Sequence, residues 1–384
     1  MAIGSALLAA AATTTALWLA GSFDREVVQI TEVVEVREFA EVPEPQKTSP
    51  QLPDTTASSV PGPSPAPPDS TVATTIPLFA PTDLVAVVAS RAIPSIVTVQ
   101  NLDGEFGQAG SGSGVIIRSD GFIVTNHHVI DGADTLKVIM SDGLSYPAEL
   151  VGSDSLMDIA VLKVRADDLP HIRFGSMERL RTGEPAIAVG NPLGLDGGPS
   201  VTAGVISAFD RSLVTNPLTG ESLYGLLQTD APITRGSSGG ALLDVHGRLL
   251  GITTAIGLSD VGAEGLGFAV PANLVERIVD DLMSEGEVRH AFLGIRGSSA
   301  FSELTDGVES PLGVEVNLLE ESAIGRAGAQ DGDVIVALDG VPVRSMPLLV
   351  ARLRSYRAGD SITVTVQRDD ETLDLDMTLD RYPS

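Results

Sequence analysis

The sequence predicts a mainly β chain, with paired barrels or sandwiches over residues 81–285 and a smaller α+β module over 286–384. Three observations predict it. Short β-branched runs recur at roughly ten-residue intervals between turn signals. Asp-Gly pairs at Asp120-Gly121 and Asp142-Gly143 are hairpin-type turns. One amphipathic helix then divides this pattern from a stretch that mixes strands with short helices.

The elements follow in order. Residues 1–23, "MAIGSALLAAAATTTALWLAGSF", carry no charge, and at about 1.5 Å per residue they can just cross roughly 30 Å of hydrocarbon. They read as a transmembrane anchor in preference to a cleaved signal segment, because no Lys or Arg precedes the apolar run and Trp18 fills the −3 position for cleavage after Ala20. This predicts a single-pass protein of the cell membrane whose folded domains face outward. Residues 24–80 are an acidic Val/Glu stretch and then a Pro/Ser/Thr-rich one, expected to be a disordered, semi-rigid linker. The runs "SIVTVQ", "SGVIIRSDGFIVTN", "TLKVIMSDG", "DIAVLKV", "AIAVG", "VTAGVISA", "RLLGITTAI" and "GLGFAV" are strands. In "PANLVERIVDDLMSEG", Pro271 suits a helix start, Leu274, Ile278 and Leu282 share one face, and Gly286 ends the helix. Beyond it, a segment near Leu293, "GVEVNL", "GDVIVALDG", "SITVTVQ" and "TLDLDMTL" are strands, while "SAIGRAG" and "MPLLVARLRSY" are helical.

Composition excludes several functions. Asp and Glu outnumber Lys and Arg 51 to 24, for a formal charge of -27, which repels phosphate backbones and argues against a nucleic-acid partner. The absence of cysteine rules out a disulfide framework, a thiolate nucleophile and a thiolate metal site.

Three segments carry chemistry. "GFIVTNHHVIDG" puts His127 and His128 at a strand end entering a turn, where adjacent side chains on extended backbone diverge and would not chelate one metal. "LMDIAVLKV" sets Asp158 at the head of an apolar strand, where a buried carboxylate needs a partner and a histidine N–H is suitable. "TRGSSGGALLD" centres Ser238 in Gly-x-Ser-x-Gly, whose glycines permit a backbone that turns the serine outward and gathers N–H groups as an anion hole. A serine hydroxyl needs an adjacent base to become a nucleophile. The order His128, Asp158, Ser238 is that of the chymotrypsin-type double barrel. An α/β-hydrolase elbow would place acid and histidine after the serine and a helix behind it, whereas "ALLDVHGRLLGITTA" continues as strand.

The motifs "SGSGVIIRSDGFIVTNHHVI", "DIAVLKV", "GNPLGL", "VTAGVISA", "LQTDAPITRGSSGGALLD" and "GLGFAVP" resemble the successive signatures of HtrA/Deg serine proteases across residues 82–285. The resemblance implies a trypsin-like double β-barrel with His128 as general base, Asp158 as its orienting carboxylate, Ser238 as nucleophile, and the N–H groups of Gly236 and Ser238 as oxyanion hole. The tail, from "RHAFLGIRG" onward, resembles a single PDZ domain, implying that Leu293, Gly294 and Ile295 receive the C-terminal carboxylate of a peptide added as a strand. The implied protein is an envelope endopeptidase degrading unfolded or damaged proteins, with no metal or cofactor, a preference for small aliphatic residues before the cut, and a homotrimeric assembly. The chain departs from the family pattern at Arg235, Ser237 and Ala241. These departures define the alternative of a peptide-binding sensor or holdase with a resting protease domain.

Overall fold

The computed structural model describes residues 81–103, 107–191, 198–216, 218–254, 265–303, 307–369 and 371–383. The expected anchor over 1–23, the expected linker over 24–80 and nearly all of the loop "IGLSDVGAEG" lie outside the described residues.

After the helix α1 (Pro81–Ala92), six strands form a first closed barrel: β1 (Ile96–Asp103), β2 (Gly107–Ile116), β3 (Phe122–Thr125), β4 (Thr135–Ile139), β5 (Ser145–Asp154) and β6 (Ile159–Val164). Their order around it is β1-β2-β3-β6-β5-β4. A one-turn helix, α2 (His127–Ile130), interrupts the run between β3 and β4. A second closed barrel contains β7 (Pro185–Gly190), β8 (Ser200–Asn216), β9 (Glu221–Thr229), β10 (Ala241–Leu243), β11 (Leu249–Thr254) and β12 (Gly267–Pro271), in the order β10-β11-β12-β9-β8-β7. Closure leaves neither sheet an open edge. Alternating side chains then divide the core. Val97, Val99, Ile123 and Leu162 fill the first barrel, while Ile96, Val124, Val189 and Ile252 join both barrels to α1 and to α3 (Ala272–Glu285).

Helix α3 forms as the spacing predicts, burying Leu274, Ile278 and Leu282, and Gly286 caps it by donating its N–H to Leu282 O at 3.1 Å. The C-terminal module contributes β13 (Ala291–Phe292), β14 (Ile295–Glu303), β15 (Glu309–Leu318), α4 (Ala323–Arg326), β16 (Val334–Leu338), β17 (Val341–Pro342), α5 (Met346–Leu353), β18 (Ser361–Arg368), β19 (Glu371–Thr378) and β20 (Asp380–Arg381). Its main sheet runs β14-β15-β16-β18-β19, so β14 is an edge strand. Val314, Val316, Ile335, Leu349 and Val364 form a core of its own. The two barrels and this module contact each other. Buried His290 Nε2 lies 2.9 Å from both carboxylate oxygens of Asp154 at the end of β5, and Arg357 Nε donates to Asp281 Oδ1 of α3 at 2.7 Å.

The expected localisation, a single-pass protein of the cell membrane, is corrected. No helix among the described residues is long and apolar enough to cross a membrane. The 14 residues of α3 reach only about 21 Å at the helical rise, and one face of α3 is polar.

Candidate active site

The first half of the site is built where β3 leaves its barrel. Phe122–Thr125 pack inward, and the chain then coils once through α2, burying Val129 and Ile130 and leaving both histidines on the outer side. The sequence suggests extended backbone at this point. The apolar pair Val129-Ile130 instead folds it into a helical turn against the first barrel's core. The two histidines still diverge. His127 Nδ1 lies 3.2 Å from Ser153 Oγ, whereas His128 Nδ1 lies 2.8 Å and 2.9 Å from the two oxygens of Asp158.

Asp158 is 3% exposed and adopts φ 56, a left-handed conformation just before β6 that turns its carboxylate back toward α2. That carboxylate also accepts the backbone N–H of His128 at 3.0 Å and the hydroxyl of Thr254 at 3.2 Å. Asn126 holds the Asp158 carbonyl through Nδ2 at 2.8 Å. An ionised carboxylate can only accept, so Nδ1 of His128 carries the hydrogen and, in the neutral ring, Nε2 keeps the lone pair. The imidazole is thereby poised to take a proton on the side away from Asp158.

The second half is the turn before β10. Ser237 donates its N–H to Thr234 O at 2.9 Å, closing a four-residue turn whose third member, Gly236, has φ 86. A turn with a left-handed third residue wants glycine there. Ser238 follows, 5% exposed, its carbonyl accepting Ser113 N–H at 2.7 Å. Gly239 then donates to Thr253 O at 2.9 Å, and a side chain at Gly239 would meet Ser113 O at 2.1 Å, so backbone approaches backbone directly. Strand β11 links the two halves: Thr253 holds the serine turn, and its neighbour Thr254 bonds Asp158. Beside His128 and Asp158 opens a cleft of about 590 Å³, shared between Leu223 and Tyr224 of β9 and Arg354 and Tyr382 of the C-terminal module.

The predicted peptide-binding residues sit at the start of edge strand β14. Leu293 O accepts Ser322 Oγ and Ile324 N–H, both at 3.2 Å, and Gly294 O accepts Leu319 N–H at 2.9 Å. These bonds draw the loop over the N-terminus of α4, beside a strand edge open to a further strand.

Two closed barrels with a histidine, a buried aspartate and a glycine-bounded serine between them, followed by a separate sheet module, define a trypsin-like serine protease carrying a PDZ domain. Family comparison agrees: residues 112–252 match the trypsin-like peptidase domain and 292–379 the PDZ domain. The chain is 39% identical over 273 residues to the periplasmic serine endoprotease DegP of Escherichia coli (strain K12), covering 70% of this chain and 56% of that protein. It is 38% identical over 280 residues to the periplasmic pH-dependent serine endoprotease DegQ of the same organism, covering 72% of this chain and 60% of that one. Among solved structures, it resembles the HtrA-type protease AlgW with tripeptide at TM-score 0.64 and 34% identity, over 78% of this chain and 98% of the other. The serine endoprotease from Yersinia pestis gives TM-score 0.57 and 32% identity over the same shares. The chain therefore belongs to the HtrA/Deg family of serine proteases. It spans less than two thirds of the length of these curated relatives. Their periplasmic names add to the correction of the expected single-pass membrane localisation.

The sequence reading missed Thr254, Asn126, Ser113 and Thr125, all buried polar groups that bind the site together. The available signal was polarity in the wrong place: hydroxyls within "SGSGVI", "FIVT" and "LLGITT", strands that are otherwise apolar or glycine-rich.

Proposed function

We propose that this protein is a serine endopeptidase of the cell envelope that cleaves unfolded or damaged proteins by acyl transfer, through a protease domain over 81–285 and a PDZ domain over 286–384. Ser238 Oγ attacks the peptide carbonyl while His128 Nε2 takes its proton. The oxyanion that forms is met by the N–H groups of Gly236 and Ser238. His128 then protonates the leaving amine, and water, activated by the same imidazole, releases the acyl group. Asp158 fixes the tautomer and stabilises the imidazolium. The observation that carries this reading is the bond from His128 Nδ1 to a buried Asp158 that Thr254 ties to the strand holding the Ser238 turn.

The Gly236 turn supports an active resting loop over the sensor or holdase alternative, because it closes with φ 86 at Gly236 despite Arg235, Ser237 and Ala241. The loop at Leu293, Gly294 and Ile295 is assigned to the C-terminal carboxylate of a peptide, and the edge strand β14 supports that mode. The periplasmic names of the relatives support work in the envelope. A homotrimer, implied by family resemblance, belongs to the same reading, and sedimentation velocity measures it. The direct test is hydrolysis of a permanently unfolded protein. Wild type digests it, Ser238→Ala and His128→Ala do not, and Asp158→Asn loses on the order of 10⁴ in kcat because the imidazole adopts the wrong tautomer. Digestion by Ser238→Ala would overturn the assignment.

A further inference from the structure

Ser113 lies on β2, far in sequence from the proposed nucleophile, and is completely buried. Three of its groups reach the site. Its N–H donates to Ser238 O at 2.7 Å, its carbonyl accepts Thr125 Oγ1 at 2.7 Å, and its hydroxyl donates to Gly236 O at 2.7 Å. The direction of the last bond is fixed by a fourth partner. Asn191 N–H donates to Ser113 Oγ at 2.8 Å, so the hydroxyl's own hydrogen is committed to Gly236 O, which can only accept. Asn191 is itself anchored, through Nδ2, to Thr98 Oγ1 of β1 at 2.5 Å.

We infer that Ser113 is a positioning residue for the oxyanion hole. The inference rests on the protease reading above. The hydroxyl grips the carbonyl side of Gly236, and the N–H of the same residue is the proposed oxyanion donor. With Gly236 O held by Ser113 and Ser237 N–H held by Thr234 O, both ends of the Gly236–Ser237 peptide are fixed. The Gly236 N–H lies on the preceding Arg235–Gly236 peptide, and its orientation is set by φ at a Gly236 whose carbonyl Ser113 holds in place. Ser113 touches neither substrate nor reacting atoms in this role. It keeps one donor aimed at the place where charge develops, and preorganised donors there act chiefly on the transition state. Arg235, Ser237 and Ala241 depart from the family pattern around this turn, and the Ser113 hydroxyl holds its Gly236 carbonyl.

The test compares wild type with Ser113→Ala and Ser113→Cys, using a fluorogenic peptide with an aliphatic residue before the scissile bond, a boronate of the same sequence, and the cleavage product as a ground-state ligand. The cysteine variant preserves volume in a chain with no other cysteine, so it serves if the alanine variant does not fold. Loss of the bond lowers kcat by about ten- to a hundredfold, less than deleting a donor outright. KM and product affinity stay within about twofold, and boronate affinity falls in proportion to kcat. A merely structural role would weaken product and boronate together, or neither, and either result overturns the inference. A wild type that neither cleaves the peptide nor takes the boronate overturns the protease reading, and the inference with it.

Discussion

At the scale of single residues, the site depends on Asp158 being held in an unfavourable conformation. A non-glycine residue at φ 56 costs on the order of 1 kcal/mol. The bonds from His128 and Thr254 to its carboxylate, and from Asn126 to its carbonyl, offset that cost. Thr254→Val removes one of these donors and keeps the shape. It is expected to lower stability by about 1–2 kcal/mol, measured by urea denaturation, and to lower kcat by about tenfold as the carboxylate loosens. The sequence revealed Asp158 because a carboxylate entering an apolar strand demands a partner. It did not reveal Thr254 or Ser113, because one hydroxyl in a strand is compatible with many harmless roles. Only the fold shows which of them meets a charge or a turn.

At the scale of elements, the serine turn and its neighbour β2 touch backbone to backbone. Gly239→Ala adds a Cβ that would sit 2.1 Å from Ser113 O, at φ 83. It should cost about 2 kcal/mol or more and remove activity together with stability, as a thermal melt and a peptide assay would show. In the PDZ domain, Arg368 at the end of β18 grips buried Asp333 through two bonds of 2.7 Å, and Gln330 N–H adds a third at 2.8 Å. The hydrogen-bonded Arg368 guanidinium holds the Asp333 carboxyl below the usual carboxylate range. The folded state therefore takes up this proton at lower pH than the unfolded chain. The stabilisation is complete above about pH 5 and is lost as pH falls through the lowered folded value. Asp333→Asn should remove about 2 kcal/mol at pH 7 and make the PDZ unfolding free energy less dependent on pH between about 5 and 2. The apolar runs were legible as strands, and one strand was expected near Leu293, but β5, β9 and most of the length of β14 were not legible. β5 carries Pro147 and exposes much of its length, β9 is broken by Gly225, and "IRGSSAF" in β14 is small and polar. Barrel closure and edge pairing, which are long-range, make strands of them.

At the scale of the whole molecule, the two domains share a buried His290–Asp154 contact and a cleft. His290, 4% exposed in the segment leading into the PDZ domain, pairs with Asp154, four residues before Asp158. Gly225 of β9 packs against Ala351 of α5, and Arg354 and Tyr382 line the cleft beside His128. Asp154→Ala leaves His290 buried without this partner, which costs about 1–3 kcal/mol. It should speed limited proteolysis within residues 286–289, whereas an unchanged digestion pattern would mean that the pair does not hold the domains together. The domain contacts had no counterpart in the sequence, since His290 and Asp154 lie in unremarkable polar contexts. In the proposed mechanism Ser238, activated through His128 and Asp158, is a working nucleophile beside a formed oxyanion hole. Labelling with a fluorophosphonate tests it most directly, applied to wild type, Ser238→Ala and Ser237→Ala. Wild type and Ser237→Ala should label, and Ser238→Ala should not. No labelling of wild type, even with C-terminal peptides added to engage the PDZ domain, or persistent labelling of Ser238→Ala, would contradict it.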